Sequence, residues 1–203
     1  MTDQSLKNVS RETMDDLSVF ADLLIKWNAK INLVSPKSID ELWHRHIADS
    51  VQVFDLVTVE KGLWVDMGTG GGFPGAICAI VAKHKKPEMK FVFIESDTRK
   101  SLFLRTVIRE LDLTARVENE RIEKTQPQNA DVVSARALAS LDLLLGFADI
   151  HLNPNGTAVF LKGAKFQQEI EESLANWQFD VQKVQSETDP DAIILKIKEV
   201  ERV

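Results

Sequence analysis

Leu63-Trp64-Val65-Asp66-Met67-Gly68-Thr69-Gly70-Gly71-Gly72-Phe73-Pro74-Gly75 is the stretch that decides the fold. A short apolar run, Leu63 to Val65, ends in a carboxylate and opens directly into glycines, giving the pattern D-x-G-x-G-x-G. Glycine lets the backbone turn sharply and approach a ligand closely. In an open α/β sheet the ligand lies beyond the carboxyl ends of the central strands, so the run reads as a strand entering a binding site. A helix is predicted from about Pro74 to Lys83, then a second strand, Phe91 to Ile94, that ends at Glu95. Glu95 stands 27 residues after Gly68, where a carboxylate can accept hydrogen bonds from both hydroxyls of a ribose.

Three readings of the loop are open. Gly70, Gly72 and Gly75 also satisfy G-x-G-x-x-G, the dinucleotide fingerprint. That fingerprint should begin at the strand end, which is Gly68 and not Gly70, and Asp66 would repel a pyrophosphate. The same carboxylate suits a ligand carrying an ammonium or sulfonium charge, and S-adenosyl-L-methionine carries both. The third reading is a structural glycine turn with no ligand.

Outward from the loop, strands and helices alternate. Asp97 is placed to cap a helix carrying Leu102, Phe103, Val107, Ile108 and Leu111; a weaker strand lies near Arg116, then another at Asp131 to Ser134. A helix through Leu138, Leu141, Leu144 and Leu145 precedes an Asn153 to Gly156 turn, a strand from Thr157 to Leu161, and a helix from Phe166 to Trp177. Such alternation implies an α/β fold with a mostly parallel sheet. The last two strands, Phe179 to Val184 and Ile193 to Ile197, have no helix between them and read as an antiparallel edge hairpin. On the amino-terminal side, Leu17, Phe20, Leu24, Trp27 and Ile31 fall on one helical face. A second helix, through Ile39, Leu42, Trp43, His46, Ile47 and Val51, is expected to start from a Ser38/Glu41 capping box. Residues 1–59 therefore read as a helical extension of a single domain whose core is 60–203.

The 203 residues suit one such domain, and no apolar run approaches the roughly 20 residues that span a bilayer. The polar start, Met1 to Ser10, lacks an apolar signal core, and Cys78 alone cannot form an internal disulfide. These features read as a cytoplasmic protein, and a monomer is expected. His, Cys, Asp and Glu show no metal-ligand spacing, so no metal is expected.

Absences narrow the chemistry. The chain has no tyrosine, which excludes the Tyr-x-x-x-Lys pair of short-chain dehydrogenases. Cys78 follows Ile77 inside an apolar helix and not a proline, which argues against a cysteine adduct on a pyrimidine. No Pro-Pro occurs, so the motif that methylates exocyclic amino groups is missing. Transfer that needs neither strong base nor nucleophile remains. Guanine N7 fits, because its lone pair is free and its methylation leaves no proton to remove. A small metabolite would satisfy the same absences.

From about Trp27 to Ile197 the chain resembles the RsmG (GidB) methyltransferases of bacteria. The resemblance rests on Trp27-Asn28, Asn32 to Ser35, Arg45-His46-Ile47-Ala48-Asp49-Ser50, Asp66 to Gly75, Glu95-Ser96 with Arg99-Lys100, Phe103 to Arg105, Arg136 to Leu141 and Leu161 to Gly163. It implies a Rossmann-like class I methyltransferase sheet, S-adenosyl-L-methionine as cofactor, and methylation at N7 of a guanine (position 527, in the 530 loop) of 16S rRNA, free or within the small ribosomal subunit. It also implies cofactor contacts at Gly68, Phe73, Ile122, Glu123 and Arg136, beside Asp66, Gly70 and Glu95 from the loop reading. No general base is expected; Arg136, Lys162 and His46 are candidates for positioning the acceptor. The family often carries Gly-Glu-Arg-His before the last strand, where this chain has Thr188-Asp189-Pro190-Asp191-Ala192.

The formal charge of −6 fits poorly with binding naked RNA, where Lys and Arg displace counterions. A local patch could still serve. Arg45, Arg99, Lys100, Arg105 and Arg109 are the candidates, with Lys83 to Lys86 nearby in sequence. The competing reading of each run is a solvated face. His46 is read equally as a buried core histidine, with Asp49 orienting it or pairing with Arg45. Trp27 and Trp43 are read as core residues.

Overall fold

The computed structural model describes residues 5–203; Met1 to Gln4, the first part of the polar amino terminus, lie outside them. In chain order the elements are α1 (Arg11–Asn28), α2 (Pro36–Ile39), a π-helical turn (Leu42–Ala48), α3 (Asp49–Asp55), β1 (Gly62–Met67), α4 (Gly75–Lys85), β2 (Met89–Ile94), α5 (Thr98–Glu110), β3 (Ala115–Glu118), β4 (Ala130–Arg136), α6 (Leu141–His151), β5 (Leu152–Lys162), α7 (Phe166–Ser173), β6 (Trp177–Gln185) and β7 (Ile193–Arg202). The strands form one sheet in the order β3-β2-β1-β4-β5-β7-β6. β3, β2, β1, β4 and β5 run parallel, and β7 enters antiparallel between β5 and β6. This is the Rossmann-like class I methyltransferase arrangement with its antiparallel carboxyl-terminal edge.

Strand alternation splits the core in two. Trp64, Phe91 and Phe93 face one apolar cluster, which also holds Leu17, Phe20 and Leu24 of α1, Val51 and Phe54 of α3, and Ile77 of α4. Val65, Met67, Val92 and Ile94 face the other, closed by Leu141, Leu144 and Leu145 of α6 and Ile170 of α7. Trp64 is fully buried and stacks between Phe54 and Phe91, with ring centroids 6.3 and 5.5 Å away. The amino-terminal helices thus share one core with α4 and α5. Trp27 and Trp43 pack, partly buried, against it.

Several sequence expectations are revised. The helix expected from Ser38 to Val51 is three pieces, and the capping box does not form: Ser35 is the N-cap of α2, and the Ser38 hydroxyl pairs with that of Ser35 at 2.6 Å. Asn153 to Gly156 is not a free turn but a bulge inside β5, where pairing jumps from Ala130↔Leu152 to Val132↔Thr157. The helix expected to reach Trp177 ends at Ser173, and Trp177 opens β6. Asp97 does cap α5, accepting from the backbone N–H groups of Arg99 and Lys100.

β1 and β4 are neighbours although their connections leave in opposite directions, toward β2 and toward β5. This is the topological switch point, where open α/β sheets bind ligands beyond the strand carboxyl ends.

Candidate active site: two cavities at the sheet's carboxyl edge

The glycine loop is held from below. Asp66 shares a strand face with Trp64, so its carboxylate points toward the start of α4 and is completely buried. Trp64 Nε1 donates to Ser134 Oγ at 2.8 Å, and Ser134 Oγ donates to Asp66 Oδ1 at 2.6 Å. Asp66 Oδ2 lies against Gly75, where a Cβ would come within 2.5 Å of it. Burial pushes the Asp66 carboxyl up to about 6, against the pull of the Ser134 hydroxyl. Asp66 therefore lies beneath the loop and braces it, outside the cavity wall.

Glu95 holds the same loop from the side. Its Oε2 accepts from Gly70 N–H at 2.8 Å and its Oε1 from Asp97 N–H at 2.7 Å. Each oxygen retains a second lone pair. Gly68 adopts φ +65°, a backbone conformation that strains any residue with a side chain, and a Cβ there would also push Leu138 Cδ1, 2.6 Å away, aside.

Above this loop opens a cavity of about 600 Å³, lined by Gly68, Gly70, Ile94, Glu95, Lys100, Ile122, Glu123, Ala137, Leu138, Leu143 and Phe147, among others. The predicted Gly68, Gly70, Glu95, Ile122 and Glu123 converge here. Ile122 sits in a short 3-10 turn, Ile122–Lys124, whose Ile122 carbonyl lies 3.2 Å from Nε2 of the buried His151. The cavity joins apolar walls at Ile122, Leu143 and Phe147 to a carboxylate and a glycine cradle. That donor set fits an adenosyl ligand. Leu143 and Phe147 were missed, because nothing in their local sequence sets them apart from ordinary core positions of an amphipathic helix.

Phe73 and Arg136 are not in this wall. The Phe73 ring is buried and meets Phe20 edge-on at 5.6 Å; His46 stacks on it at 5.0 Å, and the Arg136 guanidinium lies 4.8 Å from its centroid. Arg136 faces a second cavity of about 330 Å³, which Arg45, His46, Asp49, Ala137, Lys162, Gly163, Thr188 and Asp189 also line. All three positioning candidates, Arg136, Lys162 and His46, therefore meet in one place. Ala137 lies in both walls, held at φ 49° in the left-handed region. No sequence signal marks an alanine for that conformation.

Charge in the second cavity is tightly arranged. Arg136 Nη1 lies 3.8 Å from Asp49 Oδ2 and 3.4 Å from the Arg45 carbonyl. Asp49 does not orient His46 or pair with Arg45; Arg45 pairs with Glu41 at 3.1 Å on the surface. Burial raises the Asp49 carboxyl, and the nearby Arg136 counters it. Lys162 Nζ is fixed by Glu169 at 2.6 Å and the Ala139 carbonyl at 2.9 Å. Both ring nitrogens of His46 are buried without a hydrogen-bond partner. Burial, with Arg136 and Arg45 nearby, lowers His46 to about 4, so its ring is neutral at pH 7.

The basic runs separate by environment. Arg99 pairs with Asp97 and Arg109 with Glu110, both exposed, while Arg105 is exposed on the same helix and Lys100 belongs to the first cavity. Lys83 and His84 both pair with Asp16, Lys85 with Asp55 and Lys86 with Glu60, so that run ties α4 to its neighbours. Cys78 is buried inside α4, and burial raises its thiol well above the usual range. Among the described residues no helix is long and apolar enough to cross a membrane, and no group of three or more metal-ligating side chains occurs.

Solved structures share this fold. A methyltransferase from Geobacter sulfurreducens superposes with TM-score 0.60 at 14% identity, over 95% of this chain and 92% of that one. A TehB-like SAM-dependent methyltransferase from Corynebacterium glutamicum gives TM-score 0.60 at 13% identity, over 90% and 99%. Sequence relatives are far nearer. Ribosomal RNA small subunit methyltransferase G of Ruegeria sp. (strain TM1040) is 54% identical over 97% of this chain and 95% of its own length. The protein of that name from Paramagnetospirillum magneticum is 46% identical over 96% and 92%. The family model described as rRNA small subunit methyltransferase G matches residues 13–192, and the chain belongs to that family, GidB.

Proposed function

We propose that this chain transfers a methyl group from S-adenosyl-L-methionine to N7 of a guanine in small-subunit ribosomal RNA, with the donor in the first cavity and the guanine in the second. The observation that carries this reading is the pair of cavities meeting at Ala137 on the carboxyl edge of the sheet. Bound there, S-adenosyl-L-methionine supplies an electrophilic methyl. The remaining lone pairs of Glu95 suit ribose hydroxyls, and Ile122, Glu123, Leu143 and Phe147 suit an adenine.

In the second cavity the work is orientation, which alone can lower a barrier by several kcal/mol, about 7–11 at best. Guanine N7 attacks with its own lone pair, so no residue must remove a proton. The neutral His46, stacked on Phe73 with both ring nitrogens buried, shapes the cavity wall without placing a charge there. Arg136, fixed by Asp49 and Phe73, offers N–H donors beside the base. Arg45 at the rim and Arg105 and Arg109 on α5 suit backbone phosphates, which position RNA without reading its sequence.

The names of the relatives support the RNA acceptor, and the cavity pair supports a flat acceptor beside the donor. The test incubates the protein with labelled S-adenosyl-L-methionine and small subunits from cells lacking this activity, then maps 7-methylguanosine in the 16S rRNA. Label at one guanine of the 530 loop is the expected result. Label elsewhere, or only in small molecules, would overturn the acceptor assignment.

A further inference from the structure

The loop between β6 and β7 closes one side of the second cavity and is built around Asp189. Asp189 N–H donates to Ser186 Oγ at 3.2 Å, and its carbonyl accepts from Ala192 N–H at 3.1 Å. Its Oδ1 accepts from Asp191 N–H at 2.9 Å. The other carboxylate oxygen has no hydrogen-bond partner among the described residues, and Asp189 lines the cavity. The loop is clamped to the amino-terminal helices. Gln52 Nε2 donates to the Gln185 carbonyl at 2.8 Å, and Gln52 Oε1 accepts from Glu187 N–H at 3.0 Å. Asp49 Oδ1 accepts from Ser186 and Thr188, which leaves Asp49 committed to structure.

Register places this carboxylate relative to the donor. Moving along the sheet edge from the first cavity, Ala137 follows the end of β4, then Lys162 ends β5, and Ile193, paired with Lys162, begins β7. The Ser186–Ala192 loop lies beyond. A purine whose N7 faces Ala137 turns its opposite side, N1 and the 2-position, toward that loop. Guanine carries hydrogen-bond donors there, N1–H and the 2-amino group, while O6 beside N7 is an acceptor that Arg136 can serve. Adenine carries neither of those donors.

Resting on the reading of the second cavity as the acceptor site, we propose that Asp189 selects guanine by accepting the N1–H and 2-amino hydrogens of the base. A preorganised carboxylate acceptor suits this task, because the wrong base leaves it buried against an acceptor nitrogen.

The test uses small subunits reconstituted with 16S rRNA carrying either guanosine or inosine at the methylated position. Inosine keeps N7 and N1–H and lacks only the 2-amino group. The intact protein is expected to prefer guanosine in kcat/KM by roughly tenfold or more. In Asp189→Asn and Asp189→Ala the guanosine rate should fall and the preference collapse toward one, with S-adenosyl-L-methionine binding retained as the check on folding. Asp191→Ala, which alters the same loop but preserves the backbone N–H that Asp189 uses, should keep the preference. A preference unchanged in both Asp189 variants, or lost equally in Asp191→Ala, would overturn the role of Asp189 and leave the acceptor site standing. A protein that binds the donor and methylates no RNA guanine would overturn the acceptor site, and this inference with it.

Discussion

His46 is a histidine whose surroundings refuse it a charge. Its ring titrates at about 4 in the folded chain against an ordinary value of 6.5, from burial first and then from Arg136 and Arg45. The unfolded chain therefore binds a proton that the native one does not between those values, so this group withdraws stability as pH falls from 6.5 toward 4. Urea midpoints measured at pH 7 and pH 5 should drop further in the parent than in His46→Phe, which keeps the stack on Phe73. An equal drop would assign the acid sensitivity elsewhere. Two glycines make a second comparison. A Cβ at Gly75 would meet Asp66 Cβ and Oδ2 at 2.5 Å, whereas at Gly163 nothing lies within 4 Å. Overpacking costs about 1–3 kcal/mol, and the helix-propensity gain of at most about 1 kcal/mol offsets only part of it. In urea denaturation Gly75→Ala should lower the unfolding free energy clearly; Gly163→Ala should change it by less than about 0.5 kcal/mol. Asp66 shows where residue-level reading stopped. A carboxylate next to a glycine loop suggests a ligand partner, but period-two alternation turns it under the loop, and only the register with Ser134 reveals that.

Elements were the most legible scale. The order of strands and helices, the Asp97 cap and the antiparallel ending all follow from local patterns of apolar spacing and capping. The departures lie where distant contacts rule. Helix α3, which follows the widened turn at Leu42–Ala48, is fastened through Gln52 and Asp49 to a loop more than 130 positions later, which no window of sequence contains. The bulge at Asn153–Gly156 is visible only once β4 is its neighbour. Helix α5 carries its own prediction. Lys100 lines the first cavity, while Arg105 and Arg109 lie outside that wall. Changing Arg105 and Arg109 together to Ala should leave donor affinity intact and weaken subunit binding. The slope of log affinity against log salt should become shallower by roughly one unit or more. An unchanged slope would take α5 out of the RNA face.

Across the whole molecule the formal charge is −6, and many of the cations are already engaged with carboxylates or with backbone. Affinity for arbitrary RNA should be weak at physiological salt, with assembled or folded ribosomal RNA preferred through shape. Filter binding of a non-ribosomal RNA of equal length, matching the subunit in affinity, would contradict this. Much of the first cavity was visible in the sequence, since its glycines and Glu95 sit at strand ends. The second cavity was visible through Arg136, Lys162, His46 and Arg45, while its remaining walls come from opposite ends of the chain.

Ala137 belongs to both cavities at once, in a backbone conformation with little slack. A ligand that displaces it from one side alters the surface offered on the other. Whatever factor the donor imposes on the affinity for RNA, RNA must impose on the affinity for the donor. The same reciprocity holds for the products: whatever factor the demethylated donor imposes on the affinity for modified RNA, that RNA returns on the affinity for the spent nucleoside.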